Sequence, residues 1–153
     1  MLKLSKKADY GLIAVRHLAM KHLTGACSTK EIAKAYGIPS ELLAKVLQML
    51  VKKGLLVSQQ GAEGGYALAG DPATVTAFDV IRAIDGPLLI TSCVTSHGDC
   101  SQRPTCTVKE PLEKVNHIIV QALSSVTISS LGDDGPGPAP SDAGLVRIGG
   151  GPQ

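Results

Sequence analysis

The sequence predicts a mainly α fold with a small β wing: a helix-turn-helix, a hairpin directly after it, and a long helix towards the C-terminus. Three observations carry this. Two capped helical patterns flank Tyr36-Gly37-Ile38. Two strand-like runs, Leu55-Leu56-Val57 and Tyr66-Ala67-Leu68, enclose a polar, glycine-rich tip. Beyond Pro111, apolar residues recur at spacings of three and four.

The first helix is expected over residues 5–23. Ser5 is a suitable N-cap, Ala8, Leu12, Val15, Ala19 and Leu23 share one face, and Gly25 ends the run. Ser28-Thr29-Lys30-Glu31 has the spacing of a capping box and opens a short helix to about Ala35. Pro39 suits the first position of the next helix. Leu42, Leu43, Val46, Leu47 and Leu50 give that helix its apolar face, and Gly54 stops it after Lys52 and Lys53. The helix-turn-helix therefore spans 28–53 and the wing 54–69.

Thr76-Ala77-Phe78-Asp79 repeats the capping signature, and Asp85-Gly86-Pro87 breaks the helix that follows. A polar loop is expected over 91–109 and a helix over 111–130. Leu112, Val115, Ile119, Ala122 and Val126 form a heptad-like seam, serving either an intramolecular core or a dimer contact. Residues 132–153, rich in Gly, Pro, Ala and Asp, read as a disordered tail.

Charge is divided along the chain. Residues 1–70 carry ten Lys/Arg against four Asp/Glu, and residues 71–153 five against nine. The basic half suits a polyanion, although solvated basic helix faces would give the same count. No apolar run approaches the roughly 18 residues of a membrane span. No secretory signal is visible at the N-terminus, so a reducing cytoplasmic setting is expected for the four cysteines.

Helix-turn-helix proteins place the start of the second helix in the major groove. Ser40, Glu41 and Lys45 would then face base edges or phosphates, with Glu41 able to accept from a cytosine amino group. Ser28 and Thr29, at a helix N-terminus, suit a phosphate. Gly64 and Gly65 would let the wing approach a groove, with Tyr66 packed beneath. Singly, each residue is equally an ordinary exposed position or turn. Two capped helices, a wing and a basic half together favour double-stranded DNA.

Cys93, Cys100 and Cys106 crowd one polar loop. Thiols clustered in a reducing compartment point to a metal or cluster. Zinc on the three cysteines and His97 is one alternative, against which the wide spacings speak. A metal-free disulfide switch is another. Cys27 reads as a packed small hydrophobe, and His17, His22 and His117 as surface or core histidines on helical patterns. An enzyme is not expected: no oxyanion device is recognisable, and Gly61–Gly65 lacks the Lys-Ser/Thr ending of a phosphate loop. Nor is a small-molecule substrate expected.

The stretches SKKADYGLIAVRHLAM, GLLVSQQGAEGGYALA and DVIRAIDGPLLITSC, with the three cysteines after them, resemble the Rrf-two family of bacterial transcriptional regulators over about residues 1–131. VNHIIVQALSSVTISSL and DGPLLITSC look most like regulators of the Suf iron–sulfur assembly system, near IscR-like and NsrR-like types. The resemblance implies a cytoplasmic homodimer with a C-terminal dimerisation helix and a near-palindromic operator. It implies an iron–sulfur cluster on Cys93, Cys100 and Cys106, 2Fe-2S in preference to 4Fe-4S, and control of cluster-assembly genes, with repression the expected mode. A nitric-oxide or redox regulator of the same family and a cluster carrier without DNA activity are the alternatives. IscR-like members have a His three residues after the third Cys; here that residue is Lys109, a poor ligand while protonated. Asp9 matches the Asp that completes the cluster from the other subunit in NsrR-like members, and His97 competes with it.

Overall fold

The computed structural model describes residues 3–62, 64–90 and 104–132. Helix α1 (Lys6–Met20) begins where Ser5 Oγ accepts a hydrogen bond from the Ala8 amide. It ends earlier than the periodicity predicts. The chain turns at residues 21–24, so Leu23 is 95 % exposed and not on the core face. Helix α2 (Thr29–Tyr36) starts at Ser28 and ends on Gly37, whose φ of 65° is the left-handed conformation that glycine adopts without strain. Helix α3 (Ser40–Lys52) has Pro39 as its N-cap, one position before the expected place.

Strands β1 (Leu56–Gln59) and β2 (Gly65–Leu68) pair antiparallel, with Leu56 opposite Leu68 and Gln59 opposite Gly65. A third, one-residue rung joins them: Cys27 donates to the Tyr66 carbonyl at 3.0 Å and accepts from the Tyr66 amide at 2.8 Å. The wing is thereby sewn to the segment that enters α2.

Helix α4 (Ala77–Asp85) has a complete capping box. The Asp79 amide donates to Thr76 Oγ1, and the Thr76 amide donates to the Asp79 carboxylate. Such a cap contributes about 1 kcal/mol. At the other end of α4, Asp85 accepts from the Ser5 amide and hydroxyl, tying α4 to the start of α1.

The core lies between α1, α2, α3 and α4. Val15, Ile32, Leu43, Val46, Leu47, Leu50 and Val80 are fully buried there. The wing closes one edge through Leu56 and Leu68.

Helix α5 (Lys109–Ser125) replaces the expected 111–130. Pro111 falls within its first turn, where an amide has no intrahelical acceptor to lose. The helix stops at Ser125 because the next residues are claimed by the core. Val126 is extended, and its carbonyl accepts from the Ala77 amide. Ile128 donates to Val75 and is buried, ahead of a short 3-10 turn over Ser130–Gly132. Val126 therefore belongs to this clasp and not to the helical seam.

Candidate functional site

The outer stripe of α3 follows from its inner one. Leu43, Val46, Leu47 and Leu50 face the core, which leaves Glu41, Lys45, Gln48 and Lys52 exposed on the opposite face. Ser40 is exposed at the first position of the helix. Among the described residues, neither Glu41 nor Lys45 is held in an ion pair. Gln48 and Lys52 extend the stripe that Glu41 and Lys45 begin. Their spacing from Glu41, seven and eleven residues, is the signal that identifies them.

Ser28 is exposed and its Oγ accepts from the Glu31 amide at 3.1 Å. The reciprocal half of the capping box is not among the described hydrogen bonds. The Glu31 carboxylate instead lies 3.9 Å from His17 Nε2. Ser28 shares a groove with Thr24, Gly25, Gln60 and Gly64, between the entry to α2 and the wing tip. Thr29 follows as the first, half-buried residue of α2. Tyr66 lines a second cleft with Gln48, Lys52 and Ser58, between α3 and the wing. Two of the predicted positions, Ser28 and Gly64, thus meet in one groove, and Tyr66 joins the α3 stripe in the next.

The wing glycines have an internal reason to be glycine. A Cβ on Gly65 would lie 2.2 Å from the Cys27 carbonyl oxygen, and one on Gly64 would lie 2.5 Å from that of Gln59. The close approach the sequence suggested is therefore made to the protein's own backbone.

Cys93, Cys100 and His97 lie outside the described residues. Cys106 is a half-buried free thiol three residues before α5. The segment carrying the cysteines is moored to α5 at both ends. The Ile90 amide donates to Asn116 Oδ1 at 3.1 Å, and the chain re-enters the helix at Lys109. The Lys109 ammonium is 3.8 Å from Glu113, an ordinary helical ion pair. Asp9 is half-buried in the first turn of α1, and its carboxylate has no partner among the described residues. The free Cys106 thiol and the uncommitted Asp9 carboxylate are donor types that fit a thiolate-ligated cluster with one harder corner.

Helix α5 buries none of its residues. Val115 and Ile118 are 44 % and 62 % exposed, while Leu112 and Ile119 are half-buried. No described helix is long and apolar enough to cross a membrane.

Sequence reasoning did not join His17, Cys27 and Glu31, which the structure brings together. Their ligand atoms lie within 4.8 Å of one another. Burial pushes the Cys27 thiol pKa up, and the charge of Glu31 and its hydrogen bond to the thiol add to this against the opposing pull of Lys21. The Cys27 backbone is also held by its rung to Tyr66, a pairing without a local sequence pattern.

A family model described as Rrf2, iron-dependent transcriptional regulator, matches residues 4–134. CymR of Bacillus subtilis is 39 % identical over 87 residues, covering 57 % of this chain and 63 % of that relative, so the chain matches less than two thirds of it. A putative HTH-type transcriptional regulator of Aquifex aeolicus is 32 % identical over 129 residues, covering 83 % of this chain and 89 % of that one. The solved structure of CymR, described as the global cysteine regulator of B. subtilis, superposes with a TM-score of 0.70 at 31 % identity, over 86 % of this chain and 96 % of that one. IscR of T. potens superposes with a TM-score of 0.68 at 32 % identity, over 85 % of each chain.

Proposed function

The chain belongs to the Rrf2 family of DNA-binding transcriptional regulators, and from that premise we propose that it senses an iron–sulfur cluster and regulates Suf-type cluster-assembly genes, as a repressor. Its relatives are named as regulators of transcription and not as enzymes.

The observation that carries the proposal is the mooring of the cysteine segment. It leaves from Ile90, bonded to Asn116 of α5, and returns through Cys106 into the same helix. A ligand gripped by Cys93, Cys100 and Cys106 would therefore act on α5 directly. Helix α5 buries none of its residues and leaves Val115 and Ile118 exposed, so in this reading it is the contact between two copies. When bound, an iron–sulfur cluster supplies thiolate-ligated iron whose fourth corner is exchangeable. Asp9 of the partner subunit would hold that corner. Lys109, engaged with Glu113, is left as a surface residue.

The reading head then does the DNA work. Ser28 and Thr29 present a helix N-terminus to a phosphate. Ser40, Glu41 and Lys45 enter the major groove, and the wing bearing Gly64, Gly65 and Tyr66 lies along the adjacent backbone. Two heads related by a twofold axis read a near-palindromic operator. Cluster loss would change the relation between the heads and hence operator affinity. Regulation of this kind places the protein in the cytoplasm.

The test is an anaerobic preparation of the full chain. Visible absorption should accompany iron and sulfide, and should vanish in Cys93→Ala, Cys100→Ala or Cys106→Ala. A colourless protein whose bound zinc is lost in Cys106→Ala would replace the cluster with zinc.

A further inference from the structure

We propose that His17, Cys27 and Glu31 form a second metal site, for a divalent ion of the zinc class, where α1, α2 and the wing meet. Three observations converge there. The His17 residue is 8 % exposed, and its Nε2 is buried without a hydrogen-bond partner. A buried nitrogen left unpaired is costly, and a metal ion is one way to satisfy it. The other ring nitrogen, Nδ1, is 2.9 Å from the Tyr36 hydroxyl. If Nδ1–H donates to that hydroxyl, Nε2 carries the free lone pair, the tautomer that a metal-bound histidine needs. Finally, the Cys27 Sγ and a Glu31 carboxylate oxygen stand within 4.8 Å of that nitrogen and of each other.

The donor set, one nitrogen, one sulfur and one oxygen, suits a borderline-soft ion. Bonds of about 2.0–2.3 Å in a tetrahedron place the ligand atoms roughly 3.3–3.8 Å apart. The ligand atoms, within 4.8 Å of one another, therefore need close by no more than roughly 1.0–1.5 Å, and Glu31, 3.9 Å from His17 Nε2 and with a side chain 49 % exposed, has room to move. His17 and Cys27 are already fixed, the first by Tyr36 and the second by its two backbone bonds to Tyr66. Glu31 lines the groove beside Ser28, which offers water a route to a fourth position. Binding would release the Cys27 thiol proton to solvent, and the nearby Lys21 cation favours the thiolate that this leaves. An ion here would clamp α1, through His17, to α2 and its entry segment, through Glu31 and Cys27, and the backbone bonds of Cys27 to Tyr66 would carry that restraint to the wing.

The experiment uses the full chain carrying Cys93→Ser, Cys100→Ser and Cys106→Ser, so that loop thiols cannot contribute and failure of the cluster proposal has no bearing on the outcome. Zinc content and cobalt spectra are the readouts. The triple variant should retain about one zinc per chain and show a thiolate-to-cobalt charge-transfer band. Adding Cys27→Ser should abolish that band. Adding Tyr36→Phe, which removes only the hydroxyl that orients His17, should weaken zinc binding about tenfold. Failure of the folded triple variant to take up zinc, or cobalt uptake without a thiolate band, would overturn the proposal. Both results are read before any core residue is altered.

Discussion

Helix α3, at 13 residues, buries Leu43, Val46, Leu47 and Leu50 completely, whereas α5, at 17 residues, buries none of its side chains. Both helices carry an apolar stripe at helical spacing. In α3 the stripe is answered by α1, α2 and α4 within the same chain. In α5 only one edge rests on α4, and Val115 and Ile118 face outwards. Residues 3–90 thus supply the reading head's buried core except for Ile128, which the chain adds after α5. Helix α5 is an arm whose remaining surface suits a second copy. The two are joined through the clasp at Val126–Ile128 and the Ile90–Asn116 hydrogen bond. Under the proposed function, those joints would carry an event at the cysteines to both.

The largest effect expected is on the head. Leu47→Ala removes a fully buried side chain and should cost about 2–5 kcal/mol, measured by denaturant unfolding. The equivalent truncation in α5, Ile118→Ala, should leave monomer unfolding within about 0.5 kcal/mol of wild type. Comparable losses at the two positions would erase the distinction between head and arm.

Gly65→Ala should come next, at about 1–3 kcal/mol, because its Cβ would press on the Cys27 carbonyl. The damage should be confined to the wing, visible as faster amide exchange at Cys27 and Tyr66. Protection unchanged at both residues would show that the wing is not sewn to the α2 entry.

For the arm, Ile118→Glu should weaken self-association by about 2 kcal/mol or more, roughly thirtyfold, in sedimentation equilibrium. A mass that stays monomeric in the unsubstituted protein would assign the exposed stripe to some other partner.

How far these two regions could be read from the sequence differs with the range of the interactions that define them. The caps at Ser5, Ser28 and Thr76 and the αL stop at Gly37 are local, and so are legible. The inner face of α3 was legible for the same reason, because period and burial coincide there. The ends of α1 and α5 were not. Leu23 continues the periodicity but lies past the turn, and Val126 continues the seam but is withdrawn by its bond to Ala77. The capping box at Ser28 formed only in part because Glu31 turns towards His17, a residue on another helix. Cys27 and His17 likewise read as unremarkable singly, because they come together only in the packing of α1 against the entry to α2. The three cysteines were legible as a cluster of thiols, while the placement of Cys93 and Cys100 lies outside the described residues.

Thr76→Ala should cost only about 1 kcal/mol, by loss of the α4 capping box, and lower the melting temperature without altering DNA affinity. Smallest in free energy, but diagnostic, is Lys45→Ala. It should lower the slope of log affinity against log salt by about 1 if Lys45 meets a phosphate. An unchanged slope would move Lys45 from the backbone to the base edges or away from the DNA.

The central claim is that occupancy of the cysteine loop sets what the reading head does. The direct measurement is operator affinity of one preparation of the full chain, anaerobically, before and after removal of the proposed cluster, at fixed salt. Coupling free energies of about 1–3 kcal/mol predict a change of roughly five- to 150-fold. Equal affinities in the two states would contradict the account.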